Sequence, residues 1–134
     1  MKYILIAFFT LISACMNTKN NDNPIADLTG NWTAKSIQGE AIKIETHPSI
    51  EFNIDEMRII GNDGCNQIFG EIEILEEGEI TFGTIGGTKR GCPDINNLDS
   101  DFRQALSETV TYTVDNSTLI FFKEDGKKAV KFTK

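Results

Sequence analysis

Val110-Thr111-Tyr112-Thr113-Val114-Asp115-Asn116-Ser117-Thr118-Leu119-Ile120-Phe121 is the stretch that decides the fold. Val110, Tyr112 and Val114 alternate with two threonines, so the apolar side chains of an extended chain fall on one side. Asp115-Asn116 then signals a turn, because both side chains bond nearby backbone readily. Leu119 and Phe121 resume an apolar face beyond it. Two short strands joined by a tight turn are predicted here.

Working outward, the same period recurs. Ile50, Phe52 and Ile54 alternate with Glu51, Asn53 and Asp55. Ile72 and Ile74 alternate with Glu71 and Glu73, Ile80 and Phe82 flank Thr81, and Val130 and Phe132 form a last pair. Gly39, Asn62-Asp63-Gly64, Glu77-Gly78 and Asp125-Gly126 punctuate the runs. The pattern predicts an antiparallel meander with one buried face. One segment departs from it. Leu98, Phe102, Ala105, Leu106 and Thr109 recur at three- and four-residue steps, which places them on one side of a helix. Asn97 or Asp99 is expected to cap its start, and Phe102 and Leu106 to close the core over the sheet. The fold class expected is mostly β with a single α-helix.

The first residues carry an address. Lys2 precedes an apolar run from Tyr3 to Ile12, and Ile12-Ser13-Ala14-Cys15 follows. The run is too short for a transmembrane helix, which needs roughly 20 apolar residues. Small residues before a cysteine suit the narrow pockets of a signal peptidase, so residues 1–14 read as a lipoprotein signal peptide. Cys15 becomes the lipidation site, and each buried CH₂ of its lipid adds about 0.8 kcal/mol of membrane affinity. Residues 15–26, rich in Asn, Asp, Thr and Lys, read as a flexible tether, and residues 27–134 as one domain.

The chain of 134 residues has a formal charge of −7, and loss of Lys2 makes the mature form one unit more negative. That argues against a nucleic-acid partner, which wants a basic surface, and against lying flat on anionic lipid. The expected membrane contact is the anchor alone, with an envelope protein as further partner.

Cys65 and Cys92 are an even pair in an exported domain, and a disulfide is the first reading. It would close a loop of about 28 residues and favour the folded state by about 3.6 kcal/mol. Two reduced cysteines are the alternative. Neither a redox C-x-x-C nor a zinc spacing with the lone His47 is present. His47, before Pro48, reads as a surface loop residue. Gly83 to Lys89 superficially resembles a phosphate loop, but the order Gly87-Thr88-Lys89 is wrong for one, and its glycines are read as permitting a bend or bulge. Asp94, Asn96, Asp99 and Asp101 offer oxygen ligands without the spacing of a calcium loop. No catalytic, cofactor or metal residue is expected. Trp32 at the first strand is read as core, its N–H needing a buried acceptor.

Read in order, Leu28-x-Gly30-x-Trp32, Gly39, Gly61-Asn62-Asp63-Gly64-Cys65-Asn66 with Phe69-Gly70, Thr88-Lys89-Arg90-Gly91-Cys92 and Asp101-Phe102 with Ala105-Leu106 resemble the META domain family. The resemblance spans about residues 28–134, and Arg90 departs from the methionine usual there. It implies a small barrel-like β fold with one helix, an envelope or secreted setting, links to stress tolerance and, in distant eukaryotic members, motility. It implies no enzyme activity. Gly30, Trp32, Gly64, Asn66 and Thr88 are expected to shape the fold, Gly64 through its backbone freedom and Asn66 by pinning a turn. The expected function is that of a non-enzymatic, lipid-anchored protein of a bacterial envelope, on the outer membrane. The alternative is a small-ligand binder with its pocket at the mouth of the sheet, beside Trp32.

Overall fold

The computed structural model describes residues 23–134, so Cys15 and the signal peptide lie outside the described residues. The elements run α1 (Pro24–Asp27), β1 (Gly30–Ile37), β2 (Glu40–Ala41), β3 (Ser49–Asn53), β4 (Arg58–Asn62), β5 (Gln67–Glu76), β6 (Glu79–Gly87), α2 (Leu98–Ser107), β7 (Thr109–Val114), β8 (Thr118–Lys123) and β9 (Lys128–Thr133). From β3 to β9 each strand pairs antiparallel with the next; β1 pairs with β3 on one side and β9 on the other. The meander thereby closes into an eight-stranded barrel, with β2 a short hairpin outside the ring. Closure removes the two long edges that an open sheet would expose.

The expected periodicity holds where the ladders are regular. Trp32, Ala34, Ile50, Ile59, Ile80, Leu119, Phe121, Val130 and Phe132 are all fully buried inside the ring. Phe121 sits at the centre of a chain of rings, with centroids 6.5 Å from Phe52, 5.5 Å from Phe82 and 5.1 Å from Phe132. Turn chemistry follows the sequence as well. Gln38 and Gly39, at φ 49° and 83°, form the two-residue turn between β1 and β2, and Gly78 and Gly126 each take φ 80°.

Three local expectations need correction. Ile74 does not share the face of Ile72: it is 44% exposed, while Ile72 is buried. The β5–β6 ladder slips twice, between Gly70 and Ile72 and again between Ile72 and Ile74. The bulge around Glu73 turns Ile74 outward and brings Leu75 toward the core. The cap is the second case. Asn97 occupies the N-cap of α2 but has φ 61° and makes no side-chain cap bond, and Asp99 lies inside the first turn. Third, residues 24–26 of the expected tether belong to α1. Asn23 Oδ1 accepts from Ile25 N–H at 3.2 Å, and Pro24 fits the first helical turn.

The helix α2 does close the core. Phe102, Ala105 and Leu106 are fully buried, and the Phe102 ring meets that of Phe132 at 6.1 Å. Thr109 is buried as expected, but as the first residue of β7, its hydroxyl donating to Ala105 O at 2.8 Å. The β6–β7 ladder shows one residue pair, Glu79 with Thr111. Farther along β6 the barrel wall is completed by α2, which packs on β6, β9 and β1.

The barrel has two distinct ends. Chain entry at α1, Lys134 and the turns after β3, β5 and β7 share one: Lys134 Nζ lies 3.4 Å from Asp27 O and Lys134 N donates to Ser117 O. The β1–β2 turn, the β4–β5 connection, the loop from Thr88 to Asn97 and the start of α2 share the other.

Candidate functional site

The family-motif residues from Asn62 to Cys92 converge at the end of the barrel opposite chain entry. Asp63 begins the assembly. Its carboxylate is fully buried, and Oδ1 accepts from the amides of Cys65 at 3.0 Å and Asn66 at 2.6 Å. Together with Asn62, whose Oδ1 accepts from Gly64 N–H at 2.6 Å, it folds the β4–β5 connection over itself. Gly64 sits within it at φ 97°, a backbone state open mainly to glycine. The Leu98 side chain packs where a Gly64 side chain would begin.

Asn66 fastens that connection to the loop after β6. Its Oδ1 accepts from Thr88 Oγ1 at 3.0 Å and from Arg90 N–H at 2.7 Å, while its Nδ2 donates to Arg90 O at 3.2 Å. Thr88 Oγ1 also accepts from Gln67 N–H at 3.2 Å. Arg90 points its guanidinium back, Nη2 donating to Cys65 O at 3.0 Å. The side chain at 90 therefore lies exposed across the junction, which accommodates arginine there.

Two longer-range ties complete the junction. Cys65 and Cys92 form a disulfide, with Cα atoms 5.9 Å apart. Arg103, one turn into α2, donates from Nε to Asp63 Oδ2 at 2.6 Å and from Nη2 to Thr88 O at 3.3 Å. Two loops and one helix meet in a compact net of charge-assisted and neutral bonds. Among the described residues no buried side-chain nitrogen or oxygen is left without a partner.

The other candidates lie elsewhere. Trp32 is fully buried and donates its indole N–H to Leu28 O at 2.8 Å, with Lys134 Nζ 4.8 Å from its ring centroid. It sits in the packed interior and not at a pocket mouth. Gly30, at φ 113°, opens β1 beside Lys134. His47 Nδ1 bonds Ala34 O at 2.7 Å and is half-buried, which ties the loop after β2 to β1. The Gly83–Lys89 segment is strand through Gly87, with Gly83 at the β6 side of the bulged ladder. Phe69 lies 59% exposed across the bare surface of Gly86, opposite Ile60, which is 50% exposed.

Sequence reading singled out Gly64, Cys65, Asn66, Thr88 and Cys92, and all five meet here. It took Asp63 only as part of a turn and passed over Arg103. The hint for Asp63 was its place two and three residues before the amides it binds. Arg103 carried no local hint, because its partner lies 40 residues away.

Beside the junction lies an open groove of about 720 Å³. The β1–β2 hairpin and the segment through Ile44 form one wall, and Ile95, Asn96, Leu98 and Asp101 the other.

A closed antiparallel barrel, plugged by one helix and locked at that end by a disulfide and a polar net built on buried Asp63 and Asn66, defines a small β-barrel domain class. Residues 26–134 match the META domain, and the chain belongs to the META domain family. The fold is shared with solved structures of low sequence identity. A protein from Burkholderia xenovorans, solved by NMR, superposes with a TM-score of 0.64 at 21% identity, covering 83% of this chain and 87% of that one. A crystal structure of a DUF4847 family protein from Bacteroides vulgatus ATCC 8482 gives 0.61 at 17% identity, covering 79% and 92%. Among curated proteins none matches.

Proposed function

We propose that this chain is a lipid-anchored protein of a bacterial cell envelope whose META domain serves as a non-enzymatic interaction module linked to stress tolerance. The anchor reading rests on the apolar run ending in Ile12-Ser13-Ala14-Cys15. The disulfide between Cys65 and Cys92 supports an exported, oxidising setting. The observation that carries the non-enzymatic reading is the use of the motif side chains. Asp63, Asn66, Thr88 and Arg103 direct their polar groups to one another and to backbone, which is the chemistry of a structural lock. A second reading, small-ligand binding, draws on the groove beside that lock, whose volume lies in the range of ligand sites.

The test is metabolic labelling with tritiated palmitate in a bacterial host, followed by membrane fractionation. The wild-type chain should take up label and sediment with membranes, and Cys15→Ser should do neither. Equal labelling of the two would remove the anchor. Crosslinking of intact envelopes should then return a reproducible partner; consistent recovery of the chain alone would remove the interaction module.

A further inference from the structure

Charge is divided between two halves of the barrel. Strands β3 to β6 stand side by side and carry Glu51, Glu71, Glu73, Glu76 and Glu79 against Arg58 alone. Strands β7, β8, β9 and β1 make up the other half and contain no aspartate or glutamate. Their charged residues are Lys35, Lys123, Lys128 and Lys131. The formal charge of −7 therefore conceals two unlike walls. The total argues against contact with anionic lipid, but the lysine wall by itself favours it.

Three of these lysines stand on the outer surface. Val130 and Phe132 are buried inside the ring, and Lys131 in its ladder pairs with Ser36 on one side and Ile120 on the other. Lys35 occupies the irregular step between buried Ala34 and Ser36, and is exposed. Lys128, also exposed, pairs with half-buried Phe122. Among the described residues Lys35, Lys128 and Lys131 have no ion-pair partner. Lys127 extends the patch into the adjoining turn, and its contact with exposed Asp125, at 3.9 Å, neutralises little. Chain entry lies at one end of the same wall: β1 follows α1 directly, and Lys134, just after β9, lies against Asp27 O. Even fully extended, the chain from Cys15 to Asn23 spans less than about 30 Å. A lipid on Cys15 would thus hold this wall within reach of a bilayer surface at all times.

We propose that the outer face of β8, β9 and β1 is a membrane-contact surface, which lays Lys35, Lys128 and Lys131 on anionic phospholipid headgroups. The acyl chains supply attachment and the lysines supply orientation. The acidic half, repelled by the same headgroups, is turned away from the membrane and left open. This goes beyond the anchor, which by itself leaves the barrel free to tumble. It rests on the envelope reading for the membrane, and not on the domain being an interaction module.

The probe is a vesicle of phosphatidylcholine, either alone or mixed with phosphatidylglycerol. The full chain is reconstituted into each, acetylated with an N-hydroxysuccinimide ester and read lysine by lysine by mass spectrometry. Acetylation of Lys35, Lys128 and Lys131 should slow severalfold in the mixed vesicles, while Lys89, on the loop after β6, should be unchanged. High salt should erase the difference, because it screens exposed charge. A second arm uses the full chain with Cys15→Ser, which takes no lipid, and reads its preference for mixed over plain vesicles by sedimentation. Each lysine near such a surface is worth about fivefold. The further triple substitution Lys35→Gln, Lys128→Gln and Lys131→Gln should therefore cut the preference roughly a hundredfold, with an unchanged melting temperature.

Equal acetylation in the two kinds of vesicle, equal slowing at Lys89, or a triple variant with the parent's preference overturns the proposal. So does protection that appears in plain vesicles at high protein density and disappears with Glu71→Gln and Glu73→Gln, which would assign the wall to the acidic half of a second copy. Protection in native envelopes without protection in mixed vesicles also overturns it, and would assign the wall to an acidic protein. The anchor fails separately, by absence of palmitate on Cys15, and the sedimentation arm decides the wall whatever that result.

Discussion

Arg103 on α2 reaches the buried carboxylate of Asp63 at 2.6 Å across 40 residues of sequence, and so ties the helix that plugs the barrel to the connection between β4 and β5. Asp63 is fully buried and the Arg103 side chain is 26% exposed. The pair works because Asp63 Oδ1 is already held by two amides, leaving Oδ2 for the guanidinium. The same carboxylate sets a loop and receives a helix.

Removing one partner should therefore be severe. Arg103→Ala leaves a buried carboxylate without its cation, which costs about 3–5 kcal/mol. Partial exposure of the arginine places the expected loss near the lower figure. Urea unfolding at neutral pH measures it, and a cycle through Asp63→Ala should show strong coupling. Additive losses would mean that the two side chains act independently.

The disulfide acts on the same junction by a different mechanism. Its cysteines are 27 residues apart, a loop whose closure favours the folded state by about 3.6 kcal/mol on the chain-entropy account. The double variant Cys65→Ala, Cys92→Ala should lose roughly that much while keeping its β-type circular dichroism, because the Asn66 and Asp63 bonds remain. Dithiothreitol should lower the urea midpoint of the wild type and leave that of the variant unchanged.

Two glycines discriminate between backbone and side-chain crowding. A Cβ at Gly61 would run into the backbone carbonyl of Ser49 on β3, whereas at Gly86 the nearest atoms belong to the exposed Phe69 ring, 2.8 Å away. Gly61→Ala should cost about 2–3 kcal/mol, because a strand must shift. Gly86→Ala should cost less than about 1 kcal/mol, because the Phe69 ring can swing aside. Thermal unfolding of the two variants side by side tests the order.

Tyr112 gives the fold an alkaline limit. Its hydroxyl donates to Glu76 O at 3.0 Å, and burial raises its pKa above the ordinary 10.0. The protonated form is the one the fold favours. Its contribution is intact below the ordinary value and is lost as pH rises through the higher folded value. Unfolding free energy should therefore fall more steeply above pH 10 for the wild type than for Tyr112→Phe.

The strands were legible because a residue in a ladder faces opposite to its neighbour, and the apolar alternation around Phe52, Leu119 and Phe132 records that directly; Val110 departs from the face of Tyr112 at the slip between Thr109 and Thr111. Turn chemistry at Gly39, Gly78 and Gly126 was legible for the same local reason, since φ is a property of one residue. Ile74 was misread because two compensating slips in the β5–β6 ladder change its facing, and nothing at Ile74 itself announces them. The cap of α2 was misread because Asn97 entered a left-handed conformation, where its side chain does not reach the first turn. At the candidate site, Cys65, Asn66 and Cys92 stood out by residue type, whereas Arg103 looked like any helical arginine.

By itself, the amino-acid sequence determined what depends on near neighbours: the period of each strand, the chemistry of each turn, the amphipathic helix and the presence of two thiols able to pair. Tertiary structure alone decided that β9 returns to β1, that α2 fills the gap beside β6, that Arg103 finds Asp63, and that the β1–β2 hairpin and the start of α2 flank a groove. Periodicity states which way a side chain points relative to the residues beside it. Which distant group it then meets depends on ladder register and barrel closure, and these are set by all the strands together.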